Sequence, residues 1–387
     1  MTYIAGANGI FRAVDTTKLK SYSFEIGSLR PPSEVGNYSL LLRVTRNCPW
    51  NRCTFCYGRF YNREQFTARS VDELVTDIQS VHAIKDEIAS LSLKLGYLGK
   101  IKPLSSVVRS RQLYEKEETN LNEDEFNNLY CVVTVLNWLI SGGENVFLQD
   151  ADTPVMDTDK LVEILMHLTK TFPSIKRITS FIRSKTIIER KTEELSRLRQ
   201  AGIIRLYVGL ETGDDELLTL INKGVTAKEH IRAGKKALKA GFEVSECIMP
   251  GLGGKSMWIQ HATNTARVLN EINPHFIRLS PFVPIDNTPL LEAYQGGEFE
   301  LTSPHERLQE IKLMIEELDV SSNVCFTHPF NTSYRSGGMF VPLMNQDYDG
   351  YKFPEEKALV LELIDKGLQL NEKAFLDIKD IAGINHL

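Results

Sequence analysis

The stretch Arg46-Asn47-Cys48-Pro49-Trp50-Asn51-Arg52-Cys53-Thr54-Phe55-Cys56-Tyr57 decides how this chain is interpreted. Three of the six cysteines fall within it, with the spacing Cys-x4-Cys-x2-Cys. The preceding run Leu40-Leu41-Leu42-Arg43-Val44-Thr45 is apolar and predicts a buried strand that leads into the cysteine loop. Three thiolates on a loop suit a soft metal centre. Because a four-iron cluster normally takes four thiolates, three would leave one iron open to a small molecule.

Three other interpretations of these cysteines stay open at this point. A structural zinc site takes four ligands, usually as two pairs, whereas Cys131, Cys247 and Cys325 are scattered. A plant-type ferredoxin uses the same spacing plus a distant fourth cysteine, and the next one here, Cys131, lies in an apolar, helix-like run. Unrelated free thiols are the third interpretation. The rest of the chain has to decide among them.

Composition narrows the class of protein. The chain has 387 residues, 42% of them apolar and 25% charged, which is ordinary for a globular protein with a large core. The net charge of −5 predicts no broad basic surface for nucleic acid or anionic membrane, although a local basic groove would be compatible with it. The start of the chain has no secretory pattern, and the longest apolar stretch is too short to span a bilayer. We therefore expect a reducing, cytoplasmic location, where thiols bind metals rather than pair.

After residue 140 the sequence alternates between strand and helix patterns. Capping boxes predict helix starts at Ser70, Thr226 and Ser303, and one continuous helix is predicted over Thr186–Gln200. Counting the strand before the cysteines, six strand–helix units predict a parallel sheet covered by helices. Polar side chains end nearly every strand, which favours a barrel or partial barrel whose ligand site lies on that face. These residues are Cys48, Asp150, Asp152, Ser180, Arg183, Glu211 and Glu246.

The ordered motifs over about residues 35–290 resemble the radical S-adenosylmethionine (SAM) superfamily, near oxygen-independent coproporphyrinogen oxidases, methylthiotransferases and the Elongator catalytic subunit. The usual cysteine spacing of that family is x3, x2, whereas this chain has x4, x2. The resemblance implies an α/β fold, a partial (β/α)6 TIM-like barrel over 39–290. An N-terminal lead over 1–38, a helical insert at about 93–128 and a C-terminal segment over 291–387 that covers the barrel would complete the chain.

The resemblance also implies the site. Cys48, Cys53 and Cys56 would hold three irons of a 4Fe–4S cluster, and SAM would chelate the fourth. Asp150 and Asp152 would receive the SAM ammonium, and Arg183 its carboxylate, since a guanidinium and a carboxylate match as a fork. The other expected SAM contacts are Phe55, Ser180, Glu211, Lys223, Phe282 and Val283. For each of them, core packing, strand-end capping or a surface ion pair is the structural alternative.

The last candidates lie in the C-terminal segment. Cys325-Phe326-Thr327-His328-Pro329-Phe330-Asn331 follows a strand-like run, and Arg335 comes shortly after it. A partial barrel leaves its mouth open, whereas a radical intermediate needs water to be excluded. We therefore expect His328, Asn331 and Arg335 to face a substrate cavity, with strand- and loop-end capping as the structural alternative.

Two classes of function follow. The first is a radical SAM enzyme that abstracts hydrogen from an unknown small molecule and takes electrons from a donor such as a flavodoxin or ferredoxin. The second is an iron–sulfur electron carrier or regulatory binding protein without radical chemistry. Within the enzyme class, porphyrinogen oxidation and RNA modification are alternatives, so a nucleic-acid partner stays open.

Overall fold

The computed structural model describes residues 2–32, 38–56, 65–109, 114, 121–326, 328 and 333–383. Within them, strands alternate with helices along most of the chain. The strands are β1 (Thr2–Ala5), β2 (Phe11–Val14), β3 (Leu40–Arg43), β4 (Thr45–Arg46), β5 (Thr67–Ala68), β6 (Asn145–Gln149), β7 (Arg177–Ile182), β8 (Ile203–Glu211), β9 (Glu243–Ile248), β10 (Phe276–Leu279), β11 (Asn323–Cys325), β12 (Ser333–Ser336), β13 (Met339–Pro342) and β14 (Tyr351–Lys352).

The helices cover the sheet and fill the connections. They are α1 (Thr17–Ser21), α2 (Val71–Lys94), α3 (Leu104–Arg109), α4 (Glu123–Ile140), α5 (Thr158–Thr171), α6 (Ser184–Glu189), α7 (Thr192–Gln200), α8 (Asp215–Leu220), α9 (Ala227–Lys239), α10 (Gly254–Ile272), α11 (Pro289–Gln295), α12 (Pro304–Glu317) and α13 (Lys357–Gln369). No helix of the described part of the chain is long and apolar enough to cross a membrane.

An eight-stranded sheet forms the centre of the fold. Its order is β3, β6, β7, β8, β9, β10, β11 and β14; the first seven strands run parallel and β14 runs antiparallel to β11. Because the spatial order follows the chain order throughout, the sheet has no reversal of the kind that marks a doubly wound fold. This order confirms the partial TIM-like barrel, with one more parallel strand, β11, than the six predicted.

Local sequence signals fix several helix starts. The predicted capping boxes Ser70–Glu73, Thr226–Glu229 and Ser303–Glu306 are all formed, each with both reciprocal hydrogen bonds. They set the first turns of α2, α9 and α12. Since each of these helices connects or covers strands of the sheet, the caps also fix where the intervening loops begin and end.

The prediction of one helix over Thr186–Gln200 is wrong. The structure has α6 and α7 with a break at Arg190, whose guanidinium donates from Nε to Pro154 O at 2.8 Å and from Nη2 to Val155 O at 3.0 Å. The backbone of Arg190 is extended there, and the following Lys191 begins α7. A tertiary contact therefore overrides a continuous helical pattern.

Two parts of the chain have structure that the sequence patterns did not predict. Within the N-terminal lead, the hairpin β1–β2 and the helix α1 form. The predicted insert is helical, and its helix α3 packs into the core. Leu104, Val107 and Val108 of α3 are buried in the same hydrophobic core as the barrel strands.

The inward face of the barrel carries an aromatic cluster. Phe147, Phe181 and Tyr207 come from neighbouring strands, with ring centroids 5.3 to 6.4 Å apart. Ile26 of the N-terminal segment packs against this cluster. Gln149 holds the segment there, because its Oε1 accepts from Gly27 N at 2.9 Å and its Nε2 donates to Gly27 O at 3.1 Å. The N-terminal segment thus reaches into the barrel beside β6.

Candidate metal and SAM site

The cysteine loop is anchored to the barrel by backbone contacts. Asn47 and Asn51 adopt left-handed backbone conformations, with φ of 68° and 43°, which asparagine tolerates better than most residues. Thr54 N donates to Ile221 O at 2.9 Å, and Leu290 N donates to Thr54 O at 3.1 Å. The loop between Cys48 and Cys56 is therefore held by the end of α8 and the start of α11.

The three thiols lie close enough to affect one another. A hydrogen bond from the Cys56 thiol is the largest factor that lowers the pKa of Cys53, to about 7, with burial opposing it and Lys223 adding to it. The same bond, together with burial and the charges of Cys53 and Cys48, raises the pKa of Cys56. Burial raises the pKa of Cys48, whose neighbours include Arg183 and Asp152.

These sulfurs fit a cluster better than a single ion. Among the residues that the structure describes, no group of three or more His, Cys, Asp or Glu side chains could hold one metal ion. A cubane cluster differs from a single ion, because each thiolate then binds a different iron. Three adjacent thiols with cationic neighbours and no fourth cysteine beside them match a cluster with one open iron.

A buried ion pair stands next to the thiols. Lys223 Nζ lies 2.7 Å from Glu211 Oε1, and the two side chains are about one tenth exposed, at 10% and 14%. Burial opposes the charge of Lys223, but Glu211, Cys53 and Cys56 raise its pKa above the usual value. Glu211 has φ of 61°, which turns the chain at the end of β8. Two residues from the sequence prediction are thus placed together beside the cysteines.

Arg183 lies on the other side of the loop. Its guanidinium carbon is 5.3 Å from the Trp50 ring centroid, and Nη2 donates to Lys223 O at 3.4 Å. Arg52 faces the same ring at 5.2 Å. Ser180, by contrast, is fully buried and donates to the backbone carbonyls of Phe181 at 2.9 Å and Leu148 at 3.4 Å. The structure brings Arg183 to the cysteine loop but gives the Ser180 hydroxyl backbone partners.

Asp150 and Asp152 are both fully buried at the end of β6. Asp150 Oδ2 accepts from Arg43 Nε at 2.9 Å, while its Oδ1 has no hydrogen-bond partner in the described part of the chain. Asp152 accepts from Arg183 N at 3.1 Å and from the Thr186 hydroxyl at 2.5 Å. Burial raises the pKa of Asp152 to about 6. Asp150 therefore retains an acceptor oxygen for a ligand, whereas both Asp152 oxygens are engaged.

Three predicted apolar contacts share one hydrophobic cluster. Phe55, Phe282 and Val283 pack around Leu217, Leu252 and neighbouring side chains. Phe55 is half-buried, and Lys223 Nζ lies 5.7 Å from its ring centroid. This cluster gives the cysteine loop an apolar wall beside the Lys223–Glu211 pair.

The C-terminal candidates are placed apart from one another. His328 is half-buried, and burial lowers its pKa. Asn331 lies outside the described residues. Arg335 is exposed on the hairpin β12–β13, with its guanidinium carbon 5.0 Å from the Phe340 ring. It lines a groove of about 420 Å³ with Asn371, Lys373, Phe375 and Asp380, a set that shares no residue with the cysteine site.

The sequence analysis placed Glu246 among the polar strand-end residues without giving it a contact, and it did not include Trp50 in the site. Glu246 is fully buried, neither carboxylate oxygen has a partner among the described residues, and burial raises its pKa to about 8. Glu211 and Lys223 are near enough to contribute to that shift. For Glu246, the available sequence signal was a carboxylate inside a strand pattern. No such signal existed for Trp50, because its contacts with Arg52 and Arg183 depend on the folded loop.

Comparison with known proteins finds one family match. Residues 132–264 match the sequence model described as the Radical SAM superfamily. This part of the chain is therefore similar to a radical SAM domain. Proteins of the radical SAM superfamily use a 4Fe–4S cluster and SAM, in agreement with the three-thiol site. The matched residues begin after the cysteine loop, so the match supports the barrel strands β6 to β9 rather than the individual ligands.

Individual relatives are distant and matched only in part. The tRNA uridine(34) acetyltransferase of Methanocaldococcus infernus is 25% identical over 31% of this chain and 22% of its own length. The heme chaperone HemW of Bacillus subtilis is 21% identical over 46% of each chain. The match to this chain thus covers from about a fifth to about a half of the length of these relatives.

A solved structure was also matched. Coproporphyrinogen III oxidase HemN from Escherichia coli has a TM-score of 0.37 and 18% identity, over 46% of this chain and 41% of that one.

Proposed function

We propose that this protein is a radical SAM enzyme that abstracts hydrogen from an unknown organic substrate. The observation that carries the proposal is the meeting of Cys48, Cys53 and Cys56 with the buried Lys223–Glu211 pair at the carboxyl ends of the strands. When bound and reduced, the 4Fe–4S cluster supplies an electron that cleaves a carbon–sulfur bond of SAM, leaving methionine and a 5′-deoxyadenosyl radical.

The chain's own residues would bind and orient the cofactors. The three cysteines would hold three irons as thiolates. Lys223 keeps positive charge beside these sulfurs, and Glu211 balances it with a carboxylate at 2.7 Å. Arg183 would bind the SAM carboxylate, since a guanidinium offers two parallel donors to it. Asp150 would accept from the SAM ammonium through Oδ1, the oxygen that has no hydrogen-bond partner among the described residues.

The remaining predicted contacts would shape the pocket. Phe55 would contact the adenine, and Phe282 and Val283 would complete the same apolar wall. Ser180 and Asp152 would act mainly by fixing the ends of β7 and β6 through their internal hydrogen bonds. Turnover also needs an electron donor such as a flavodoxin or ferredoxin and a reducing compartment such as the cytoplasm.

Release of 5′-deoxyadenosine tests this proposal. Anaerobically reconstituted protein, reduced with dithionite and given SAM, is expected to form 5′-deoxyadenosine and methionine in equal amounts, measured by chromatography with mass detection. A protein with a fully loaded cluster that forms neither product would support the electron-carrier alternative instead. Tetrapyrrole binding and copurifying RNA distinguish porphyrinogen oxidation and RNA modification within the enzyme class.

We further propose that the C-terminal segment contributes substrate contacts through His328, Asn331 and Arg335. The half-buried position of His328, directly after β11, supports this role for His328. His328→Ala is expected to leave cluster content and uncoupled SAM cleavage unchanged and to lower turnover of the true substrate. If His328→Ala instead prevents cluster assembly or folding, His328 is structural. Arg335→Ala, which changes an exposed residue, is the matched variant for the outer part of the segment.

A further inference from the structure

Arg278 occupies the inward face of the barrel with an unsatisfied guanidinium. It lies on β10 between Cys247 of β9 and Cys325 of β11, its partners in the two strand registers. The residue is only 2% exposed. Its Nε donates to Ser245 Oγ at 3.2 Å, but Nη1 and Nη2 have no hydrogen-bond partner in the part of the chain that the structure describes.

The surroundings of Arg278 are aromatic rather than acidic. The guanidinium carbon lies 4.3 Å from the ring centroid of Tyr348, 5.3 Å from that of Phe276 and 5.8 Å from that of Tyr207. Aromatic faces attract a cation but accept no conventional hydrogen bonds from its N–H groups. The Tyr207 and Tyr348 hydroxyls are already hydrogen-bonded to each other. The four Nη hydrogens of Arg278 therefore lack acceptors among the residues that the structure describes.

Nearby charges do not compensate Arg278. Arg205 and Arg177 also contact the Tyr348 ring, at 5.3 and 5.1 Å. The carboxylate of Glu243 is nearby, but its Oε2 pairs with Arg205 Nη2 at 2.8 Å. Arginine stays protonated inside proteins, so it cannot avoid the cost of burial by losing its charge. An unpaired buried charge is strongly unfavourable, which points to an anion that the ligand supplies.

We infer that Arg278 binds a carboxylate group of the substrate at the inner end of the barrel. Its two Nη groups form the planar fork that a carboxylate matches bidentately. The inference rests on the proposed function, because it places the substrate in the lumen below the SAM site. The register supports this placement: Gly209 pairs with Cys247, the neighbour of Arg278, and Glu211 follows two residues later on the same strand.

The level of the Arg278 guanidinium sets the scale of the substrate. Its Nε donates to Ser245, which pairs with Tyr207 in the strand register, four residues before Glu211 on β8. Four residues along a strand span about 13 Å. A carboxylate held by Arg278 would therefore lie about 13 Å below the level of Glu211 and Lys223. The substrate class is thus an organic acid whose carboxylate lies many bonds from the carbon that reacts.

Thermal unfolding with short carboxylates tests the inference. The full-length reconstituted protein is heated with millimolar straight-chain carboxylates, acetate to hexanoate, with the matching amides and with inorganic phosphate. We expect at least one carboxylate to raise Tm by a few degrees, since a ligand that binds only the folded state stabilises it. The matching amide and phosphate should have smaller effects.

Variants assign the response to one side chain. Arg278→Met should abolish the response and should not lower the Tm of the ligand-free protein, because it removes an unpaired buried charge. Arg278→Lys keeps the charge but loses the fork and should respond weakly. Arg197→Met, which changes an exposed arginine paired with Asp159, should respond like the wild type.

The outcomes separate this site from the proposed function. A carboxylate response that survives in Arg278→Met, amides as effective as acids, phosphate more effective than any carboxylate, or no response in the wild type would each overturn the inference. A large loss of Tm in both Arg278 variants would also overturn it, since the guanidinium would then be structurally paired. SAM cleavage is measured separately: its absence would refute the radical enzyme, whereas the carboxylate response does not depend on it.

Discussion

Cys56→Ala is expected to lose the iron–sulfur cluster and to lower SAM cleavage by at least about 100-fold. Loss of a residue that only supports a metal ligand costs a site up to about 100-fold, so loss of a ligand itself should cost no less. The charges of both Cys53 and Cys48 act on the pKa of Cys56, so Cys56 lies near the other two thiols. With two thiolates left, a four-iron cluster has too few protein ligands to assemble stably. Iron and sulfide content after anaerobic reconstitution, the visible absorption and 5′-deoxyadenosine formation measure the effect.

Cys131→Ala is the matched control. Cys131 is also buried, but it lies in α4, where its Sγ donates to Phe24 O at 3.2 Å. Its replacement should cost about 1 kcal/mol of stability through that hydrogen bond and leave the cluster intact. Loss of the cluster in Cys131→Ala, or its retention in Cys56→Ala with wild-type absorption, would contradict the three-cysteine assignment.

Local signals predicted much of the fold. The capping boxes at Ser70, Thr226 and Ser303 gave correct helix starts because their hydrogen bonds join residues three positions apart. The strand-end polar residues were correctly expected to share one edge of the sheet, because the carboxyl ends of parallel strands meet there. The cysteine loop was recognisable because its three thiols are close in sequence.

Features that depend on distant contacts were not predictable. The break between α6 and α7 depends on carbonyls of Pro154 and Val155 that accept from Arg190. The entry of Ile26 into the barrel depends on Gln149, more than a hundred residues away along the chain. Neither contact leaves a mark on the local pattern of apolar residues.

The inward and outward positions of charged strand residues were also hidden. The pattern Phe276-Ile277-Arg278-Leu279 reads as a strand with one polar position, and nothing in it shows that the guanidinium points into the barrel. Glu246 is similar, because its burial without partners appears only once the helices are packed.

Binding of SAM to the reduced cluster is the second large effect expected. If three thiolates hold three irons, the amino and carboxylate groups of SAM complete the fourth. In the proposed function, Arg183, which lies over the Trp50 ring of the cysteine loop, and Asp150 would bind those groups. The ligand field of one iron then changes on binding, although no bond of the protein is made or broken.

Electron paramagnetic resonance of the reduced protein with and without SAM measures this directly. The account predicts that SAM shifts and reshapes the signal of the reduced 4Fe–4S cluster, whereas 5′-deoxyadenosine, which lacks the amino acid part, leaves it unchanged. A fully reduced, fully loaded cluster whose spectrum is the same with and without saturating SAM would contradict the open iron and favour a plain iron–sulfur electron carrier.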